Sequence, residues 1–234
     1  GLIHKYRRRA LVIATGACAV HCRYCFRRHF PYSQSFAGNS QLEAIEQYLR
    51  THTELNEVIL SGGDPLMLDN RQLGRLMQRL ATIPHIRWVR LHSRLPIVLP
   101  ERIDADLLAV LDIEQPVTLV IHSNHPQELD SSVATALEQL QLCGIRLYNQ
   151  SVLLRAVNDN AEVLSALSHR LFDLGVQPYY LHMLDQVQGA THFAVDEARA
   201  ISLYQQIQAE LSGLLLPKLV REIAGSPAKT LINI

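Results

Sequence analysis

Along the chain, short apolar runs rich in β-branched residues alternate with longer stretches in which apolar residues recur every three or four positions. The short runs predict strands at 10–15, 57–61, 88–93, 117–122, 146–153 and 178–184, and the longer ones predict helices at 40–51, 70–82, 105–111, 131–142, 161–174 and 195–211. Six successive strand-helix units imply parallel strands joined by right-handed crossovers under a layer of helices. Six units fall short of the eight that close a full barrel. The expected fold class is therefore α/β, a partial (β/α)6 TIM-like barrel, built as a single domain over 1–234. The chain starts Gly1-Leu2-Ile3, without an initiating Met, and enters a strand almost at once; it is expected to be a core lacking additional N-terminal residues.

Polar residues interrupt this pattern at the carboxyl ends of the predicted strands. They are the loop 18–25, Ser61 to Asp64, His92-Ser93-Arg94, His122 to His125, Asn149-Gln150-Ser151 and His182 to Asp185. In a parallel barrel the loops at that edge converge on one cavity, so six polar clusters in register predict one site.

The first of these loops carries Cys18, Cys22 and Cys25. Three thiolates on one short loop can each hold one iron of a cubane 4Fe-4S cluster, which leaves a fourth iron open. A zinc site completed by His21 or His29 uses the same residues. The fourth cysteine, Cys143, lies far off in an apolar helical pattern and is expected to be a small buried residue. Disulfides are disfavoured because no secretory segment precedes the loop, and the expected location is the cytoplasm.

Composition narrows the partners. Twenty-two basic residues balance 22 acidic ones and 48% of residues are apolar, which suits a domain with a sizeable core and argues against broad nucleic-acid or membrane binding. No apolar run reaches membrane-spanning length.

The spacing Cys-x3-Cys-x2-Cys with Tyr24 before the last cysteine, followed by Ser61-Gly62-Gly63-Asp64 after the strand Glu57 to Leu60, resembles the radical S-adenosylmethionine superfamily. The resemblance implies a 4Fe-4S cluster on Cys18, Cys22 and Cys25, with S-adenosyl-L-methionine on the open iron. It also implies that Tyr24 lies near the adenine, and that Ser61, Gly62, Gly63 and Asp64 contribute to binding the methionine part. Glycines there let backbone approach a ligand closely; the plain alternative is a strand-to-helix turn with Asp64 as its cap.

Further segments narrow the likeness. Cys22 to Arg28, Ser61 to Leu66, His122 to Pro126, Asn149 to Asp159, Pro178 to Leu181 and Val220 to Ala224 together resemble lysine 2,3-aminomutases, above all the short form whose (R)-β-lysine serves modification of elongation factor P. That likeness implies conversion of (S)-α-lysine by a 5′-deoxyadenosyl radical, with pyridoxal 5′-phosphate held covalently on Lys229 and its phosphate bound by Lys5 and Arg9. It places His122 and Gln150 beside the cofactors. Arg27 would meet the substrate carboxylate, and Asp185 and Glu222 the ε-ammonium. Glu222 stands where long forms have Asp, and of the glycines before the family lysine only Gly225 remains. The partners implied are lysine, an external electron donor and, functionally, elongation factor P; a homo-oligomer is left open. Two other readings also stay open, an aminomutase for arginine or glutamate and a non-catalytic metal-cluster module.

Overall fold

The computed structural model describes residues 1–27, 39–223, 225, 226 and 228–233. Arg28 and His29, and Ala224 and Pro227 of the C-terminal motifs, lie outside the described residues. Among the described residues nine strands form one sheet in sequence order: β1 (Leu2–Tyr6), β2 (Arg9–Thr15), β3 (Glu57–Gly62), β4 (Trp88–Ser93), β5 (Val117–Ile121), β6 (Arg146–Val152), β7 (Gln177–His182), β8 (Lys218–Arg221) and β9 (Thr230–Leu231). β2 to β8 run parallel, and β1 and β9 are antiparallel edges. The helices are α1 (Asn39–Thr51), α2 (Asn70–Ala81), α3 (Leu95–Val98), α4 (Ala105–Leu111), α5 (Ser131–Leu142), α6 (Ala161–Asp173) and α7 (Glu197–Glu210). The six strand-helix units are as expected, with a seventh parallel strand and the two edges added.

Register explains how one sheet makes both a core and a site. Val12, Leu60, Leu91, Leu119 and Leu147 lie side by side across five strands, each at most 4% exposed, and belong to one apolar cluster with the helices. Each such burial contributes about 1.5–3 kcal/mol relative to leaving the side chain in water. Because side chains alternate faces along a strand, the residues that follow in the chain, among them Ser61, His92 and Tyr148, turn to the opposite, concave face. Helices answer the same row with stripes such as Leu73, Leu76, Met77 and Leu80 of α2.

Helix starts are set by short polar residues. Asp69, Asp104, Asp130, Asn160 and Asp196 cap α2, α4, α5, α6 and α7 by accepting backbone N–H groups of the first turn. Cys143 corrects the expectation of burial. It is exposed because it falls one residue past α5, whose buried stripe is Val133, Ala136, Leu137 and Leu140, and the chain leaves the helix through Gly144 at φ +77°. Among the described residues no helix is long and apolar enough to cross a membrane.

Candidate active site

The cysteine loop leaves β2 and is seated on the turn that leaves β3. The register between these strands slips near Ile13 and Thr15, opposite Ser61 and Gly62. Gly63 N–H donates to the Thr15 carbonyl at 2.7 Å and Asp64 N–H to the Ala17 carbonyl at 2.8 Å. A Cβ on Gly63 would lie 2.2 Å from the Ala17 oxygen, and Gly62, at φ +119°, would set one 2.5 Å from the Thr15 oxygen. Both glycines are thus required, but what approaches them closely is the cysteine loop itself. The N–H groups of Gly63 and Asp64 are both bonded to the carbonyls at the start of that loop.

Asp64 is likewise committed to the protein. Its buried carboxylate accepts from Leu66 N–H (3.0 Å), the Ser93 hydroxyl (2.7 Å), Arg94 N–H (2.8 Å) and Leu95 N–H (3.2 Å). It ties the ends of β3 and β4 together, which is the capping role. Burial pushes its pKa up, against those four hydrogen bonds.

Cys18, Cys22 and Cys25 ring the mouth of this loop, the first exposed and the others half-buried. Burial, then the charges of Asp64, Cys25 and Cys22, push the Cys18 thiol up to about 11. Three cysteine sulfurs spaced over the eight residues Cys18 to Cys25 are a donor set that fits an iron-sulfur cluster. Arg94 approaches Cys22 Sγ at 3.6 Å, pairs with Glu128 at 2.6 Å and lies over the Tyr24 ring. Asn124 donates to the Tyr24 hydroxyl at 2.7 Å and accepts from Val152 N–H at 2.8 Å, so β6 fixes the aromatic ring of the loop. Beside it opens a cleft of about 320 Å³ lined by Cys22, Tyr24, Arg94, Asn124, Leu154 and Phe193, among others. Apolar walls with a few convergent polar groups are the usual makeup of a small-molecule site.

On the concave face, Gln150 of β6 reaches His122 Nε2 at 2.9 Å and His92 Nδ1 at 3.4 Å. Burial, then the cations Arg94, Arg27 and Lys229, lower His122 to about 3. Burial, Lys229 and His122 lower His182 to about 3 against Glu222. His92 is lowered well below its ordinary value by burial and then by Arg90, His122, Arg27 and Lys229. The three imidazoles are therefore neutral at neutral pH, held so by burial and by neighbouring arginine and lysine cations.

The far side of that cavity holds the acids. The Glu222 carboxylate accepts from Lys5 at 2.5 Å and from Lys229 at 3.0 Å, spanning the gap between β1 and the end of β8. Burial would raise Glu222, but hydrogen bonds from Lys5 and Lys229 hold it below its usual range. Burial pushes Asp185 up, opposed by Lys229 and reinforced by Glu222. Lys229 lies 5.6 Å from the centre of the Tyr180 ring. A register slip near Asn149 and Gln150 accompanies the close approach of Tyr180 and Tyr179, whose ring centroids lie 3.8 Å apart. Arg27 donates to the Ser61 hydroxyl at 2.7 Å on the cysteine side. Arg9 stacks on Tyr6 at 3.8 Å, and its Nε is buried without a hydrogen-bond partner among the described residues. An orphaned guanidinium N–H with Lys5 on the adjoining strand fits the phosphate of a cofactor.

The sequence-derived candidates thus fall into three neighbouring groups: the cysteine loop with its glycine turn, the His122–Gln150 pair, and the Lys5–Glu222–Lys229 cluster beside Asp185. The charges of Arg27 and Lys229 both lower His92 and His122, so the three groups lie close enough to act on one another. Tyr180 was given no role among the candidates; His92, one of the polar strand-end residues, has an Nε2 buried without a hydrogen-bond partner among the described residues. The signal for them was the alternation Arg90-x-His92 and Tyr180-x-His182, polar residues at every second position of otherwise apolar strands.

Comparison with known proteins agrees with this geometry. The profile of the radical SAM superfamily matches residues 12–122. An L-lysine 2,3-aminomutase of Haemophilus influenzae is 47% identical over 231 residues, covering 98% of this chain and 68% of the relative. One of Escherichia coli is 48% identical over 235 residues, covering 100% and 69%. Among solved structures, Streptococcus suis SuiB bound to S-adenosylmethionine has the same fold, with a TM-score of 0.66 at 10% identity over 94% of this chain and 51% of that one.

Proposed function

The chain belongs to the lysine 2,3-aminomutase family of the radical SAM superfamily, and on that premise we propose that it is an isomerase converting (S)-α-lysine to (R)-β-lysine. The observation that carries the substrate assignment is the charge layout of the cavity: Arg27 on the cysteine side, and Asp185 with the Glu222–Lys229 pair on the other. A zwitterion with a second ammonium needs a cation at one end and acids at the other. Two acids offset the desolvation of the ε-ammonium, and a neutral side chain would leave the half-buried Asp185 without that ammonium partner. Glu222 is the acid that retains one cation, Lys5, when Lys229 is engaged elsewhere.

Cys18, Cys22 and Cys25 hold the 4Fe-4S cluster in this reading, and the cleft beside Tyr24 takes S-adenosyl-L-methionine, its apolar wall against the nucleoside. Bound together, cluster and S-adenosyl-L-methionine supply a radical that abstracts substrate hydrogen, and pyridoxal 5′-phosphate supplies the conjugated system over which the migrating nitrogen is stabilised. Lys229 holds the pyridoxal group, and Lys5 and Arg9 hold its phosphate. Tyr180 lies under Lys229 as an apolar platform, while Gln150 and the neutral His122 orient the reacting groups without adding charge. Asn124 and Arg94 fix Tyr24 and the cysteine loop, so that the radical source and its target keep one geometry. An external donor provides the electron. The product serves modification of elongation factor P, a reading supported by the short-form segment Val220 to Ala224.

The test is anaerobic turnover of (S)-α-lysine by reduced, reconstituted protein with S-adenosyl-L-methionine, with chiral analysis of the product. (R)-β-lysine is expected. Protein loaded with iron, sulfide and pyridoxal phosphate that leaves lysine unchanged but isomerises arginine would overturn the substrate assignment.

A further inference from the structure

A second cluster of ligating side chains sits on the opposite face of β1 from the cavity. Lys5 points to Glu222, and its neighbour His4 turns to the helical layer, where it meets the end of α1. There the ligand atoms of His4, His52 and Glu54 all lie within 4.8 Å of one another. We propose that these three residues form a binding site for a divalent first-row transition metal such as zinc, which clips the edge strand β1 to α1.

The strongest support is the order already imposed on both imidazoles. His52 Nδ1 is 2.8 Å from the Tyr48 carbonyl, which fixes it as the protonated nitrogen and leaves Nε2 with a free lone pair. His4 Nδ1 is 2.9 Å from the Tyr48 hydroxyl. The Tyr48 and His52 rings stack at 3.7 Å, and His4 stands edge-on to both at 5.9 and 5.8 Å. Holding one ring nitrogen by a hydrogen bond so that the other faces the ion is how proteins orient histidine ligands. Zinc bonds of about 2.0–2.1 Å need ligand atoms about 3.3 Å apart, so the gap to close is about 1.5 Å or less, and the exposed Glu54 carboxylate can move to close it.

Charge and chemistry agree. His52 follows the last residue of the 13-residue helix α1, where the carbonyl ends of the helix favour a cation. Two imidazoles and one carboxylate with a water completing the shell suit zinc and its neighbours rather than calcium or magnesium. Among the described residues β1 pairs only with β2, so a metal bond on its outer face would restrain the strand whose inner face carries Lys5.

The experiment titrates zinc anaerobically into the cluster-loaded full chain, counts zinc and iron after gel filtration, and follows amide exchange in residues 2–6. One zinc per chain is expected, with iron unchanged and exchange in β1 slowed at least tenfold. Zinc affinity should fall at least tenfold in His52→Gln and in Glu54→Gln, and should be unchanged in Cys143→Ser, which removes an exposed thiol elsewhere. Glu54 is exposed, so Glu54→Gln reads the site without disturbing the fold. Zinc retained equally by parent and both site variants, or not retained at all at tenfold excess, would overturn the proposal.

Discussion

Gly63→Ala should unseat the cysteine loop. The new methyl would stand 2.2 Å from the Ala17 carbonyl oxygen and 2.7 Å from the Gly16 carbonyl carbon, whereas carbon and oxygen approach comfortably to about 3.3 Å. The loop must therefore retreat by about 1 Å. That retreat breaks or stretches the bonds from Gly63 N–H to Thr15 and from Asp64 N–H to Ala17. Each buried group left unpaired costs about 1–3 kcal/mol, so the loss of two is about 2–6 kcal/mol, or a fall in Tm of roughly 4–24 °C for a domain of this size. Cys18 would shift relative to Cys22 and Cys25, and iron uptake should drop with stability. The assay is thermal unfolding of the cluster-free chain together with iron and sulfide analysis after anaerobic reconstitution. Gly74→Ala is the matched control: it lies within α2, its Cβ would meet only Val110 methyls at 3.7 and 3.8 Å, and alanine in a helix should add up to about 1 kcal/mol. Equal Tm and full iron loading in Gly63→Ala would refute the account of the turn.

Three further outcomes follow from the same geometry. Asp64→Asn presents an amide NH2 to donors that now share a carboxylate, so urea unfolding should show a loss of about 2–4 kcal/mol; a change under 0.5 kcal/mol would remove Asp64 from its role between β3 and β4. His122 and His182, both at about 3 in the fold against 6.5 unfolded, bind protons only in the unfolded chain between those values. Their stability contribution is complete above pH 6.5 and declines as pH falls towards 3, by up to about 1.4 kcal/mol per pH unit for each; His122→Gln should flatten the measured slope between pH 6.5 and 5, and an unchanged slope would contradict a neutral buried imidazole. Asp185→Asn should raise KM for lysine about tenfold or more with iron content unchanged; turnover equal to the parent would remove Asp185 from the ammonium end of the cavity.

The repeating body of the fold was readable because each strand-helix unit carries its own periodicity. β4, α4 and α5 have the predicted bounds, and the others differ by a residue or two at their ends. What was missed is short or depends on partners. β8 is Lys-Leu-Val-Arg and β9 only Thr-Leu, too brief for alternation to register, and α3 contains Pro96 in four residues. The site was legible as residue types at strand ends, but their duties were not. Nothing in Gly-Gly-Asp reveals that its glycines admit a neighbouring loop; only the contacts with Thr15 and Ala17 do. Sequence spacing is also silent on the joining of Lys5 and Glu222, because no local pattern encodes a meeting of the sheet's two edges.

That meeting has a consequence for assembly. Lys5 and Glu222 are 217 positions apart, and the contact gains its full strength only once every intervening strand has taken its place. Partly folded chains therefore present Lys5 and Arg9 without the partner that positions them, and they lack the basic edge in its finished form. If Lys5 and Arg9 hold a cofactor phosphate as proposed, its capture becomes a late event, and its retention reports that the run of units, first strand to last, is complete.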